Sequence, residues 1–356
     1  MDLPITPPFP PMEAETREDI PAGEGWQFEP KWDGFRCLAF RDGDSIELQS
    51  KAGKPLARYF PDVVEALGRL GARRFVLDGE LVVPVAGELS FDELQLRLHP
   101  AESRVRKLAA AHPAQYLVFD LLVTERRRDL VAEPLAVRRE RLERFAGRYF
   151  AADPEGGSAV HRTPATTERD RAEGWFRSAG ASLDGIMAKR LSEPYRSGER
   201  SAMWKVKKLR TADCVVGGFR YGRNDRLVAS LLLGLYDGEG RLNHVGYTSS
   251  LSTEERRELT RELESLRDRP AAAKGFTGNA PGGPSRWTRE RDSEWEPLPP
   301  KLVAEVVYDH FSGGRFRHGT RLLRFRPDKP AATCGYEQIP SGARLTPLLA
   351  DSFAVR

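Results

Sequence analysis

Lys31-Trp32-Asp33-Gly34-Phe35-Arg36 places a lysine close to a carboxylate and an arginine. A lysine amine attacks only after its ammonium has lost a proton, and burial or neighbouring cations favour that loss. The hexapeptide follows Trp26 and Phe28 and precedes the apolar Cys37-Leu38-Ala39-Phe40. Lys31 is therefore expected at a strand end, with Gly34 relaxing the turn and Arg36 entering the next strand. Alone, such a string is more often a polar turn. Downstream, however, Glu80, Asp120, Asp184, Lys189, Lys205 and Lys207 also sit on or beside apolar runs. Singly they read as solvated strand-end charges. Together with Lys31 and Asp33 they would line a pocket holding lysines for phosphates, carboxylates for a divalent cation and one lysine nucleophile. Triphosphate chemistry needs that mixture, because charge on the phosphoryl oxygens must be neutralised while the attack is held in line.

The elements that must position these groups follow from apolar periodicity. Residues 1–24, rich in proline and acids, read as an extended arm whose Leu3, Ile5, Phe9 and Met12 pack along a domain surface. Strand patterns on either side of the lysine turn occupy 25–48, and the loop 49–54 is polar. Apolar spacing predicts helices over 62–70, 138–149 and 167–178, and Ser90 with Glu93 forms a capping box for another through residue 99. Phe75-Val76-Leu77 and Leu81-Val82-Val83 read as two strands separated by Asp78-Gly79-Glu80. Residues 116–122 read as a buried strand interrupted by Asp120, 155–158 as a loop, and 183–189 as a turn plus strand. Residues 201–208 form a strand whose alternate lysines share one face. Beyond Thr211 the texture changes to glycine-containing strands, one charged helix over 253–268 and a long loop over 270–300. The economical architecture there is a small, closed five-stranded barrel with one helix, an OB-fold. The fold class is thus α+β: antiparallel sheets with flanking helices, followed by the barrel. The expected domains are an arm at 1–24, a catalytic domain at 25–209, the OB-fold domain at 210–330 and a tail at 331–356.

A chain of 356 residues supports two domains. With 40% hydrophobic and 30% charged residues it reads as globular and soluble, and no apolar run reaches the ~20 residues of a membrane span. The N-terminus has neither the basic start nor the apolar core of a signal peptide, so a cytoplasmic location is expected. Cys37, Cys214 and Cys334 are too dispersed for a disulfide framework or zinc finger, and the six histidines lack metal-site spacing. A net charge of +4 permits a polyanionic partner without demanding one.

The order and content of these motifs resemble the covalent nucleotidyltransferases, and most closely the ATP-dependent DNA ligases. Lys31-Trp32-Asp33-Gly34-Phe35-Arg36 matches the family's Lys-x-Asp-Gly-x-Arg motif. By that resemblance Lys31, Asp33 and Arg36 are catalytic; Lys31 forms lysyl-AMP and Arg36 contacts the nucleotide or the nick. Glu29 stands where the family reads the adenine amino group. Asp78-Gly79-Glu80 resembles the third motif, with Glu80 on the ribose, and Phe119 the ring that stacks on adenine. Asp184-Gly185-Ile186-Met187-Ala188-Lys189 resembles the fourth, with Asp184 serving metal beside Glu80. Trp204-Lys205-Val206-Lys207 resembles the fifth, with Lys205 and Lys207 near the alpha-phosphate. Arg324-Phe325-Arg326-Pro327-Asp328-Lys329 resembles the last, which orients the pyrophosphate leaving group. Two positions depart from the family: Ser50-Lys51 stands where Ser-Arg is usual, losing the bidentate grip on phosphate, and Asp184 replaces the commoner glutamate, shortening the reach to a metal.

The resemblance covers nearly the whole chain and is most similar to the compact C-type accessory ligases of bacteria and the ligase module of end-joining ligases. A separate upstream DNA-binding domain is not expected, nor a nicotinamide-binding one. The resemblance implies ATP with Mg2+ or Mn2+ as cofactors and nicked double-stranded DNA as substrate. It further implies a monomer associated with the bacterial nucleoid, with a repair polymerase, primase or end-binding protein as partner. Ser50, Lys51, Arg286, Arg289, Arg315 and Arg317 are the expected DNA contacts; Trp287 and Trp295 interleave with the basic loop as stacking platforms would. The alternatives are an RNA ligase, a GTP-using capping-type nucleotidyltransferase and a non-catalytic DNA-end binder.

Overall fold

The computed structural model describes residues 1–150, 159–178, 183–267, 275–282 and 294–339. They form two compact units, Met1–Lys208 and Leu209–Ser341. The expected loop at 155–158, Arg286, Arg289 and Trp287 lie outside the described residues.

The first unit begins with β1 (Glu15–Arg17), β2 (Trp26–Trp32), β3 (Phe35–Asp42), β4 (Ser45–Ser50), α1 (Pro61–Arg69) and β5 (Arg74–Val82). A short hairpin follows, β6 (Pro84–Val85) and β7 (Glu88–Leu89), then α2 (Phe91–Leu96), α3 (Glu102–Ala111) and β8 (Gln115–Val123). It closes with α4 (Leu135–Tyr149), β9 (Val160–Arg162), α5 (Arg169–Ser178), β10 (Leu183–Arg190) and β11 (Met203–Lys207). Two sheets result, ordered β4-β3-β5-β8-β9 and β1-β11-β10-β2. Only β8–β9 and β1–β11 are parallel pairs in them.

Both faces of the five-stranded sheet are buried, so its strands are nearly continuous apolar runs. On β3, Cys37 and Ala39 join a core with Phe60, Phe75, Leu142 and Phe145. The intervening Leu38 and Phe40 join a second cluster with Val76 and the arm residues Leu3 and Met12. In the four-stranded sheet Trp26, Phe28, Ile186 and Ala188 pack on Ala172 and Trp175 of α5. Strand period two then turns Gln27, Glu29, Lys31, Met187 and Lys189 to the other face.

Several sequence expectations need correction. Residues 74–82 are one strand rather than two: Asp78 is fully buried but accepts hydrogen bonds from Arg36 and Tyr195, so the polar triplet stays in the ladder. The helix capped by Ser90 Oγ, which accepts from the Glu93 amide at 3.2 Å, ends at Leu96 instead of residue 99. Arg97 turns inward there to Asp62 at 2.5 Å, and Pro100 forbids continuation. The arm is not without secondary structure, since β1 pairs with β11. Residues 183–189 are one strand with an irregularity between Leu183 and Gly185, not a turn followed by a strand.

The second unit contains β12 (Arg210–Tyr221), β13 (Val228–Tyr236), β14 (Leu242–Thr248), α6 (Thr253–Arg267), β15 (Glu296–Pro297), β16 (Val303–Tyr308), β17 (Phe311–Ser312), β18 (Arg315–Phe316) and β19 (Arg321–Phe325). The main sheet runs β14-β13-β12-β16-β19, with β15 also on β12, so the expected long loop over 270–300 includes a short strand. The two edge strands meet at a parallel bridge between Thr248 and Thr320, where the Thr320 amide donates to the Tyr247 carbonyl at 2.9 Å. This is the OB-fold arrangement. Among the described residues it is joined at that bridge rather than closed by a continuous ladder.

Candidate active site

The lysine turn is a crossing between sheets, not a hairpin. β2 ends at Trp32 in the four-stranded sheet and β3 begins at Phe35 in the five-stranded one. A Cβ on Gly34 would lie 2.2 Å from the Leu81 carbonyl oxygen, so only glycine allows so close a crossing. The face of β3 and β5 that buries Leu38, Phe40 and Val76 also carries Arg36, Asp78 and Glu80, because Arg36 pairs with Glu80 and Leu38 with Asp78. That face and the Glu29–Lys31 face of β2 bound a cavity of about 200 Å³.

Glu29, Lys31, Arg36, Lys51, Glu80, Phe119, Lys189 and Lys205 all line this cavity. Lys31 Nζ hydrogen-bonds Asp184 Oδ2 across the β2–β10 pairing. On its other side β10 pairs with β11 at Gly185, whose φ is +143° and whose Cβ would meet the Val206 carbonyl oxygen at 1.9 Å. Glu29 is buried and bound on both oxygens, by Gln27 Nε2 and by Lys189 Nζ at 2.7 Å each. Lys189 Nζ and the Arg36 guanidinium lie 4.4 and 4.5 Å from the Phe119 ring centroid, within cation–π range. Asp120, next to that ring, is tied to buried Arg138.

Burial pushes the Glu80 carboxyl up to about 7 against the pull of Arg36 and Lys31, with Asp33 and Asp78 adding to the rise. Burial also lowers the Lys205 ammonium, helped by Lys31 and Lys207. For Arg36, burial opposes the charge, but Asp78 accepts from both Nε and Nη2 at 2.5 Å and holds the guanidinium above its usual range.

Other expected site residues are placed elsewhere. Asp33 and Lys207 are half-buried and do not line the cavity. Ser50 ends β4, and its Oγ accepts the Lys54 amide at 3.0 Å, shaping the loop that presents Lys51. In the second unit Arg324 pairs with Glu305 at 2.7 Å, Arg326 with Asp328 and Asp213, and Lys329 with Asp213 at 2.6 Å. Arg315 is exposed and its Nη2 lies 3.1 Å from His244 Nδ1, while the Arg317 amide donates to the His310 carbonyl.

Sequence reasoning missed Met12 and Glu13, which reach the cavity from the arm, and Tyr195. Glu13 bridges Lys51 and Arg200 at 3.0 Å each, and its carboxyl is lowered chiefly by the Lys51 hydrogen bond. No local pattern marks residues whose partners lie so far along the chain.

Among the described residues no three His, Cys, Asp or Glu side chains converge into a metal cage. Glu80 and Asp184 nevertheless supply hard oxygen donors beside Lys31. One or two carboxylates completed by substrate phosphates suit Mg2+, so this donor set fits such an ion.

A sequence model of the ATP dependent DNA ligase domain matches residues 11–207, and one of the ATP dependent DNA ligase C terminal region matches 224–329. The chain is similar to DNA ligase C1 of Mycolicibacterium smegmatis, at 42% identity over 100% of this chain and 99% of that protein. It is also similar to the multifunctional non-homologous end joining DNA repair protein LigD of Mycobacterium tuberculosis, at 31% identity over 85% of this chain and 36% of that one. A solved Lig E DNA ligase matches with a TM-score of 0.52 and 15% identity, over 88% of this chain and 99% of that one, a likeness of fold alone.

Proposed function

Because the chain belongs to the ATP-dependent DNA ligases, we propose that it seals nicks, short gaps or breaks in duplex DNA through an AMP carried on Lys31. The observation that carries this reading is the single cavity joining Lys31 to the Phe119 ring, the Glu29–Lys189 pair and the cations Arg36, Lys51 and Lys205.

Lys31 Nζ attacks the alpha-phosphorus of ATP, a P–N bond forms and pyrophosphate leaves. The proton on Nζ must go first, and Asp184, hydrogen-bonded to Nζ, holds the amine in place for the attack. Phe119 offers an apolar wall to the base, and Glu29 an acceptor for its amino group. Lys205, its charge disfavoured by burial, gains its full ammonium character against phosphate. Glu80 and Asp184 would hold Mg2+ or Mn2+, which neutralises charge on the phosphoryl oxygens. AMP then passes to a 5′-phosphate, and a 3′-hydroxyl displaces it to form the phosphodiester. Arg324, Arg326 and Lys329, with Asp213 and Glu305 orienting them, would meet the pyrophosphate. Ser50, Lys51, Arg315 and Arg317 would meet DNA phosphates.

No helix among the described residues is long and apolar enough to cross a membrane. We assign the enzyme to the cytoplasm at nucleoid DNA, as a monomer acting with a repair polymerase, primase or end-binding protein; the end-joining name of one relative supports that setting.

Incubation with alpha-labelled ATP or GTP and a divalent metal, followed by a denaturing gel, tests the reading. Label from ATP only, absent in Lys31→Ala and released by nicked duplex, is expected. Label from GTP, or label retained in a folded Lys31→Ala protein, overturns it.

A further inference from the structure

Tyr195 is 3% exposed and has no part in the chemistry above. Its hydroxyl accepts the Met12 amide hydrogen at 3.0 Å and donates to Asp78 Oδ2 at 2.5 Å. Asp78, with no exposed surface, accepts Nε and Nη2 of Arg36 through its two oxygens. Arg36 Nη2 in turn donates to the Met12 carbonyl at 3.3 Å, closing a ring of four residues. Met12 and Arg36 both line the cavity, and Arg36 lies over Phe119. Arg138 faces the Tyr195 ring at 5.6 Å.

We infer that Tyr195 is a positioning residue for ATP: its hydroxyl fixes Asp78, and so Arg36, together with the Met12 backbone of the arm, two neighbouring parts of the cavity lining. The inference rests on reading the cavity as the ATP site. A buried carboxylate must have its lone pairs matched. Removing one oxygen from Tyr195 leaves Asp78 Oδ2 with its Arg36 donor but without the phenol, and the Met12 amide short of an acceptor, so Arg36 and the arm loosen together from a single deletion. Burial, with Asp78 beside it, holds the phenol well above its usual pKa. The proton therefore stays on Tyr195 and points at Asp78.

Transfer of label from alpha-labelled ATP to the full chain, followed against ATP concentration, tests this with Tyr195→Phe, Arg36→Ala and the parent protein. Tyr195→Phe is expected to raise the KM for ATP about three- to tenfold, part of the cost of losing a hydrogen bond to a charged group, with kcat within about twofold. An unchanged KM, whatever happens to the melting temperature, reduces Tyr195 to a structural hydroxyl and overturns the inference. A raised KM in Arg36→Ala beside an unchanged one in Tyr195→Phe sinks only this inference. Unchanged KM in both also removes Arg36 from the ATP site. Should Tyr195→Phe not fold, Asp78→Asn takes its place, with the same expected rise and the same overturning result.

Discussion

Glu80 is under opposed demands. Burial favours the protonated acid, while Arg36 and Lys31 favour the carboxylate, and the balance lies at about 7 rather than 4.5. The folded chain thus holds a proton that the unfolded chain releases between those two values. Its contribution to stability is greatest below about pH 4.5 and is lost as pH rises through 7. A role toward metal or ribose needs the carboxylate, so activity runs the other way. Adenylation in a single turnover should climb as pH rises from 6 to 8, while the unliganded protein loses stability between about pH 4.5 and 7 and levels off above that. In Glu80→Gln both trends should flatten; an inflection near 7 that persists in the variant would assign it to another group. Lys31, Glu80 and Lys189 were legible because each sits on or beside an apolar run, and Glu29 through the family resemblance. Asp78 and Tyr195 were not: Asp78 looks like part of a turn until a hydroxyl 117 positions away is known to meet it.

Among the elements, β10 has little freedom beside β11. It must approach β11 closely enough that Gly185 has no room for a methyl group, and at φ +143° it occupies a region that favours glycine. Gly185→Ala should cost about 2–4 kcal/mol and disturb the Lys31–Asp184 pairing beside it. Thermal melting and labelling should therefore fall together; a variant that melts normally but fails to label would show that Gly185 serves substrate instead. The strands themselves were readable from sequence, since burial on both faces leaves apolar runs that survive inspection without partners. Their assignment to sheets was not. The turn at Lys31 crosses between sheets because β2 pairs with β10, more than 150 residues later, and pairing at such separation leaves no local trace.

For the molecule as a whole, each unit has its own core, and the proposed DNA contacts are shared between them. Exposed cations that meet phosphates bind by releasing counterions, so affinity for nicked duplex should fall linearly in log–log form as salt rises. Arg315→Ala should weaken binding and reduce that slope by about 1 while leaving label uptake from ATP intact. An unaltered slope would remove Arg315 from the DNA surface. The change of texture after Thr211 was visible because glycines recur within its strands, and the burial of the arm was visible in the apolar residues Leu3, Ile5, Phe9 and Met12; the pairing of β1 with β11 was not visible in a proline-rich stretch. That burial has a bearing on synthesis. The arm is fastened by Ser197 Oγ donating to the Pro10 carbonyl and by the Met12 amide donating to Tyr195, partners 187 and 183 positions downstream. At roughly 5–20 residues per second, a ribosome delivers those partners about 10–40 s after the arm has been made. Throughout that interval Leu3 and Met12 lack Tyr195, Ala202 and Met203 of their final cluster, so nascent-chain chaperones should find this stretch incompletely covered until residue 203 has emerged.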